Sequence, residues 1–145
     1  MGETSSGAGG LIRGAAHVVD GDSLNIGRTR IRLVGIDAPE GRQTCKRGGR
    51  DWDCGEDARR QLSQLVGGQT VSCRVRDRDK HARALAVCST AREPNLNAAM
   101  VASGFGVSYG GYRREENEAR AAKRGLWASE FQNPRDWRRE RGIGG

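Results

Sequence analysis

Val18-Val19-Asp20-Gly21-Asp22-Ser23-Leu24-Asn25-Ile26-Gly27-Arg28-Thr29-Arg30-Ile31-Arg32-Leu33-Val34-Gly35-Ile36-Asp37-Ala38-Pro39-Glu40 alternates like sheet, turns at a glycine, and is acidic at both ends. Leu24 and Ile26, then Ile31 and Leu33, give the period-two apolar pattern of half-buried strands. Gly27-Arg28 between them suits a two-residue hairpin turn with glycine first. Pairing about that turn sets Asp22 opposite Leu33, and Asp22, Leu33 and Asp37 then share one face. On straight strands Asp37 would lie about 13 Å beyond Asp22's partner, at roughly 3.3 Å per residue. The second strand must therefore bend or bulge for the two carboxylates to meet, and Gly35 is placed to allow it. Taken separately, Asp-Gly-Asp is a common turn, and Asp-Ala-Pro-Glu is a strand exit, since proline ends a ladder. An EF-hand loop starting at Asp20 is excluded: Asn25 stands where glycine is needed and Ile31 where the bidentate glutamate belongs.

In combination the motifs are more specific. Val-Val-Asp-Gly-Asp-Ser, Arg32, Ile-Asp-Ala-Pro-Glu, Asp79-Lys80-His81-Ala82-Arg83 and a closing Arg-Gly-Leu-Trp at 124–127 resemble the staphylococcal (thermonuclease) family from about residue 12 to residue 128. The resemblance implies an α+β, mainly β fold: a five-stranded OB-fold barrel with about three helices. It also implies calcium-dependent phosphodiesterase activity on DNA and RNA, with 3′-phosphate products. Carried over residue by residue, Asp22 and Asp37 match the calcium carboxylates, and Ala38 the position that offers its backbone carbonyl to the metal. Glu40 matches the general base, and Arg32 and Arg83 the two arginines that hold the phosphate. Ala38 stands where the family often has threonine, and His81-Ala82 where Tyr-Gly is common. Lys80 and His81 at this turn, and Tyr109 and Tyr112 in a glycine-rich loop, are the candidate substrate contacts.

The chain has 145 residues, enough for one domain with a real core. Aromatics make up 5% and glycine 22 residues, so the core is expected to be small and aliphatic. A net charge of +7 and a pI near 9.9 suit a polyanion partner, although a solubilising surface carries the same signature. Residues 1–10 contain no apolar run and read as a disordered leader or an expression scar, without the hydrophobic region of a signal peptide. Residues 11–131 are expected to form the domain and residues 132–145, with four arginines and Trp137, a basic tail. No stretch approaches the roughly 20 apolar residues of a membrane helix.

Leu11 to Val19 reads as the first strand. Helices are expected over Glu56–Val66, stopped by Gly67-Gly68, over Asn95–Ser103, closed by Gly104, and over Arg113–Arg124, with a Glu116–Arg120 ion pair. Thr70–Arg76 and Ala84–Thr90 read as a second hairpin that sets Cys73 opposite Cys88 and Val75 opposite Ala86. His17, beside Asp-Gly-Asp, is a poor calcium ligand and reads as structural. The four cysteines lack the Cys-x-x-Cys knuckles of zinc sites, and two local disulfides, Cys45–Cys54 and Cys73–Cys88, fit better. Disulfides belong to oxidising compartments, so a periplasmic or extracellular setting is expected; the chain is expected to be a monomer.

A phosphodiester repels hydroxide, so its hydrolysis needs cations that favour the five-coordinate transition state. Two arginines, a hard cation on two carboxylates and a third carboxylate as base supply that set. The expected substrates are single-stranded DNA and RNA. The rival reading is a non-catalytic OB-fold module that binds single strands. A third is a small secreted protein that binds an acidic partner by charge alone.

Overall fold

A computed structural model describes residues 10–143. The leader expected over residues 1–10 thus lies, apart from Gly10, outside the described residues. The first half of the chain runs β1 (Leu11–Gly14), β2 (Ala16–Asp20), β3 (Ser23–Ile26), β4 (Thr29–Leu33), β5 (Ile36–Asp37), β6 (Cys45–Arg47), β7 (Arg50–Trp52) and α1 (Cys54–Val66). The second half runs β8 (Val71–Arg78), β9 (Ala84–Ser89), α2 (Leu96–Ala102), β10 (Val107–Ser108), α3 (Arg113–Ala121), a 3-10 turn (Gly125–Ala128) and α4 (Pro134–Glu140).

The β3–β4 hairpin has the register that its sequence requires. Ser23 pairs with Arg32 and Leu24 with Ile31, Gly27 takes the turn at φ 58°, and the Leu33 N–H donates to the Asp22 carbonyl at 2.8 Å. The chain then bends where expected: Gly35 adopts φ 84°, and β5 leaves the main sheet to pair with β10. Asn97 of α2 staples that bend. Its Nδ2 donates to the carbonyls of Val34 (2.8 Å) and Ala86 (3.0 Å), and its Oδ1 accepts from Cys88 N (3.1 Å).

The main sheet runs β1-β8-β9-β4-β3-β2, with β4 and β9 parallel and the other neighbours antiparallel. The expected single strand Leu11–Val19 is two, β1 and β2, separated only by Ala15 and pairing at opposite edges of the sheet. Counted as one bent strand, they close a five-stranded barrel. Gly14 sits at the closure, where a Cβ would meet Ile26 Cγ2 at 2.9 Å, so a side chain there would push the edges apart. The main core cluster holds Ile, Leu, Val, Ala, Met and Cys side chains from the sheet, α1 and α2, with Phe105 and Tyr112 only at its margin. This is the small aliphatic interior that the composition suggests.

In the β8–β9 hairpin Cys73 faces Cys88 and Val75 faces Ala86, as expected, but the register shifts between Val75 and Asp77. The bulge moves Asp77 opposite Leu85 and leaves residues 79–83 as the turn. Both disulfides are present, Cys45–Cys54 and Cys73–Cys88. α1 begins two residues earlier than expected, at Cys54, and α3 ends three earlier, at Ala121.

The larger difference is a fourth helix where a basic tail was expected. Asn133 Oδ1 caps α4 by accepting from Arg135 N (3.0 Å), and Pro134 takes the first helical position, where its missing N–H costs nothing. Pro134 and Trp137 are buried, so α4 is docked on the domain. Among the described residues, no helix is long and apolar enough to cross a membrane.

Closing a loop of about 15 residues contributes roughly 3 kcal/mol in the chain-entropy model. A Cys73→Ala/Cys88→Ala protein should therefore melt about 10 °C below the parent, read by circular dichroism. Coincident melts would refute a stabilising role for this bridge.

Candidate active site

Asp22 and Gly21 form the tight turn between β2 and β3. A Cβ on Gly21 would lie 2.8 Å from Ala58 Cβ and 2.9 Å from Ala38 Cβ, so only glycine lets this turn press against α1 and the end of β5. That contact carries Asp22 inward, where its Oδ2 accepts a hydrogen bond from Ala38 N at 3.0 Å. The bend at Gly35 brings Asp37 to the same place. The two residues are 6% and 5% exposed, and one atom, Arg32 Nη2, lies 3.7 Å from Asp22 Oδ2 and 3.3 Å from Asp37 Oδ1. The pair inferred from the hairpin register thus shares a single guanidinium.

Glu40 is held from behind. A Cβ on Gly55 would overlap the Glu40 carbonyl oxygen at 1.7 Å, so the first turn of α1 packs directly on the Glu40 backbone. Its carboxylate faces a cleft of about 950 Å³, together with Asp20, Asp22, Asp37, Arg32 and Arg83. Arg83 is fixed at the exit of the second hairpin: its Nε donates to Asp79 Oδ2 at 2.7 Å and its backbone N to Asp79 Oδ1 at 2.9 Å. Asp79 also accepts from His81 N (2.9 Å), which shapes the turn around Ala82 at φ 63°.

Of the candidate substrate contacts, Lys80, His81 and Tyr109 line the cleft, and Tyr109 is 60% exposed. Tyr112 does not line it; its ring packs at the margin of the core, with Cε2 at 3.0 Å from where a Gly35 Cβ would stand. The double glycine between the two tyrosines separates them, one outward and one inward. His17 lies outside the cleft lining and is exposed.

Several residues of the cleft were not singled out from the sequence. Asp20 adds a fourth acid, and Arg30 adds a wall residue that donates to the His81 carbonyl. Arg135, Arg138 and Arg139 arrive from α4. Arg138 makes a bidentate contact in the site: Nη1 and Nη2 donate to Asp37 Oδ1 and Oδ2, both at 2.9 Å, and Nη1 lies 3.3 Å from Glu40 Oε1. The signal available for it was the Asn133-Pro134 helix start, which sets a phase for the residues that follow.

Burial dominates the electrostatics. It pushes the Asp22 carboxyl up to about 6; Arg32 opposes this and the neighbouring Asp37 charge adds to it. Asp20 is raised by burial against the pull of the Gly41 N–H and Arg138. Glu40 is raised by burial and then by Asp20, with Arg138 opposing. Hydrogen bonding to Asp37 holds Arg138 firmly protonated.

The donor types suit a hard cation: two buried carboxylates and a third acid, Glu40, lining the same cleft. Among the described residues no three His, Cys, Asp or Glu side chains converge tightly enough to hold a metal by themselves. Asp22 and Asp37 are the two buried carboxylates here that could ligate such an ion.

The cleft and the barrel agree with sequence comparison. A model of the family described as "Staphylococcal nuclease homologue" matches residues 30–129. An "Uncharacterized endonuclease" of Escherichia coli is 34% identical over 122 residues, covering 77% of this chain and 74% of that protein. The "Succinoglycan biosynthesis protein ExoI" of Rhizobium meliloti is 30% identical over 132 residues, covering 86% and 69%. The "Probable staphylococcal-like nuclease CAN2" of rice, Oryza sativa, is 34% identical over 128 residues, covering 82% of this chain but 32% of its own length. With the barrel, the acid pair and the two arginines in place, this chain belongs to the staphylococcal nuclease homologue family.

Proposed function

We propose that this nuclease hydrolyses phosphodiester bonds of single-stranded DNA and RNA with a calcium ion held by Asp22, Asp37 and the Ala38 carbonyl. The observation that carries this reading is the convergence of Asp22 and Asp37 on Arg32, with Glu40 and Arg83 lining the same cleft. An endonuclease and a staphylococcal-like nuclease among the relatives support it. Bound there, calcium would supply Lewis acidity and additional positive charge beside the phosphate.

The chain's own groups divide the remaining work. Asp79 takes the Nε side of Arg83, leaving both terminal nitrogens for a phosphate oxygen. Arg32 lies beside the acid pair and can offer its guanidinium to a second oxygen. Glu40 accepts the proton of the attacking water. The bond from phosphorus to the 5′ oxygen then breaks, the leaving oxygen takes a proton from solvent, and the product keeps a 3′-phosphate. Burial favours the protonated form of Glu40, which makes it a better base once ionised than an exposed carboxylate. Lys80, His81 and Tyr109 offer charge and a ring face to the flanking nucleotides. The two disulfides favour a periplasmic or extracellular setting.

One observation favours the rival, a binding module without catalysis: both Asp37 oxygens already accept from Arg138. Cleavage of single-stranded DNA with calcium, and its loss in chelator, separates the two. Full activity in chelator would refute the calcium requirement; binding without cleavage would establish the module. Magnesium, smaller and stricter in geometry, should support little turnover.

Glu40→Gln keeps size and hydrogen-bonding reach but removes the base, so kcat should fall on the order of 10²–10⁴-fold while single-strand affinity stays within a few-fold. Wild-type rates in this variant would remove Glu40 from the mechanism. Arg83→Ala, by contrast, should lower kcat and weaken substrate binding together.

Asp22 gives a pH test. Its folded carboxyl titrates near 6 against an ordinary value of 3.8, so the folded state binds the proton more tightly. Its contribution to stability is complete below about pH 4 and is lost as pH rises through about 6. In chelator, Asp22→Asn should match the parent's melting temperature near pH 4 and exceed it by several degrees near pH 7.5, since ~1 kcal/mol moves a domain of this size by about 4 °C. A gap independent of pH would contradict the assignment.

A further inference from the structure

We propose that Arg138 is a residue of the cation site, with its guanidinium and the divalent cation as alternative partners of the Asp37 carboxylate. This rests on reading Asp22 and Asp37 as cation ligands. Asp37 has two side-chain oxygens, and Arg138 donates to both at 2.9 Å, fork against fork. Arg32 Nη2, 3.3 Å from Oδ1, takes part of the remaining acceptor capacity. A hard cation needs such an oxygen at about 2.3–2.6 Å. It would then stand within a few ångströms of a guanidinium held on the same nearly buried carboxylate, where like charges are less screened than in bulk water. Both cannot occupy Asp37 at full strength.

The geometry also shows why exchange is feasible. α4 is seven residues long, too short to persist alone in water, so docking maintains it. That docking has an anchor independent of Asp37: Trp137 is buried at 6% exposure. The preceding segment is tied down separately, by Gln43 Nε2 donating to the Gln132 carbonyl at 2.7 Å and by paired backbone bonds between Lys46 and Glu130. Arg138 can therefore leave Asp37 while its helix stays in place. Arg138 thus sets the calcium concentration at which the site loads.

Calcium titrated calorimetrically into the wild type, Arg138→Ala and Arg138→Lys tests this without relying on turnover. Arg138→Ala should bind calcium about tenfold more tightly or better, equivalent to ~1.4 kcal/mol, with Arg138→Lys between. In thermal melts Arg138→Ala should fall below the wild type in chelator, and the gap should close in saturating calcium. Equal or weaker calcium affinity in Arg138→Ala, or a stability gap unchanged by calcium, overturns the proposal and leaves the nuclease reading standing. If Arg138→Ala does not stay folded in chelator, Arg138→Lys, which keeps the charge but loses the fork, carries the comparison. Calcium binding to none of the three proteins overturns the proposal together with the calcium assignment, and cleavage by the wild type in chelator identifies that case.

Discussion

Two carboxylates side by side and nearly out of water are the constraint that the rest of this structure serves. Desolvation of each is costly, and each raises the cost of ionising the other. The fold answers with two guanidiniums and one main-chain N–H: Arg32 between the acids, Arg138 across Asp37, and Ala38 N on Asp22. Three glycines make the arrangement sterically possible. Gly21 lets the acidic turn press on α1, Gly35 supplies the left-handed bend that returns Asp37, and Gly55 admits the Glu40 backbone.

The cleft separates its charges by depth. Asp22 and Asp37 are buried, whereas Arg30 and Lys80 on one side and Arg135 and Arg139 from α4 are exposed. An approaching polyanion thus meets positive charge first, and a net +7 strengthens that attraction at long range. Buried acids are tolerable beneath these exposed cations because Arg32 and Arg138 pair with them.

What could be read from the sequence was what local chemistry determines. Alternation around Gly27-Arg28 fixed the β3–β4 register, and the distance between Asp22 and Asp37 forced a bend that Gly35 could make. The β8–β9 register paired Cys73 with Cys88, and the bulge fell between those pairs and the turn, leaving them intact. The split of Leu11–Val19 was hidden, because a strand that bends to serve two edges keeps the same alternation as one that does not. Asn97 looked like an ordinary polar residue of a helix, yet its amide satisfies three backbone groups in the core. Arg138 lies 101 residues from Asp37, and no periodicity reaches so far. Basic composition read as a tail, although the Asn-Pro start and one tryptophan were enough to dock a helix.

Closure of the barrel at Ala15 also sets an order of events. β1 pairs with β8 across about sixty residues, Leu11 against Arg74, whereas the β3–β4 and β8–β9 hairpins join near neighbours. Loop-closure entropy makes the near pairings fast and the distant ones, β1–β8 and the parallel β4–β9, slow. The hairpins can therefore form while the two edges of the sheet are still apart. Until β1 arrives, β8 presents a row of unpaired backbone groups, the template through which chains associate edge to edge. The same bend that completes the barrel covers that edge, so a long-range pairing is also one that protects the chain from aggregation.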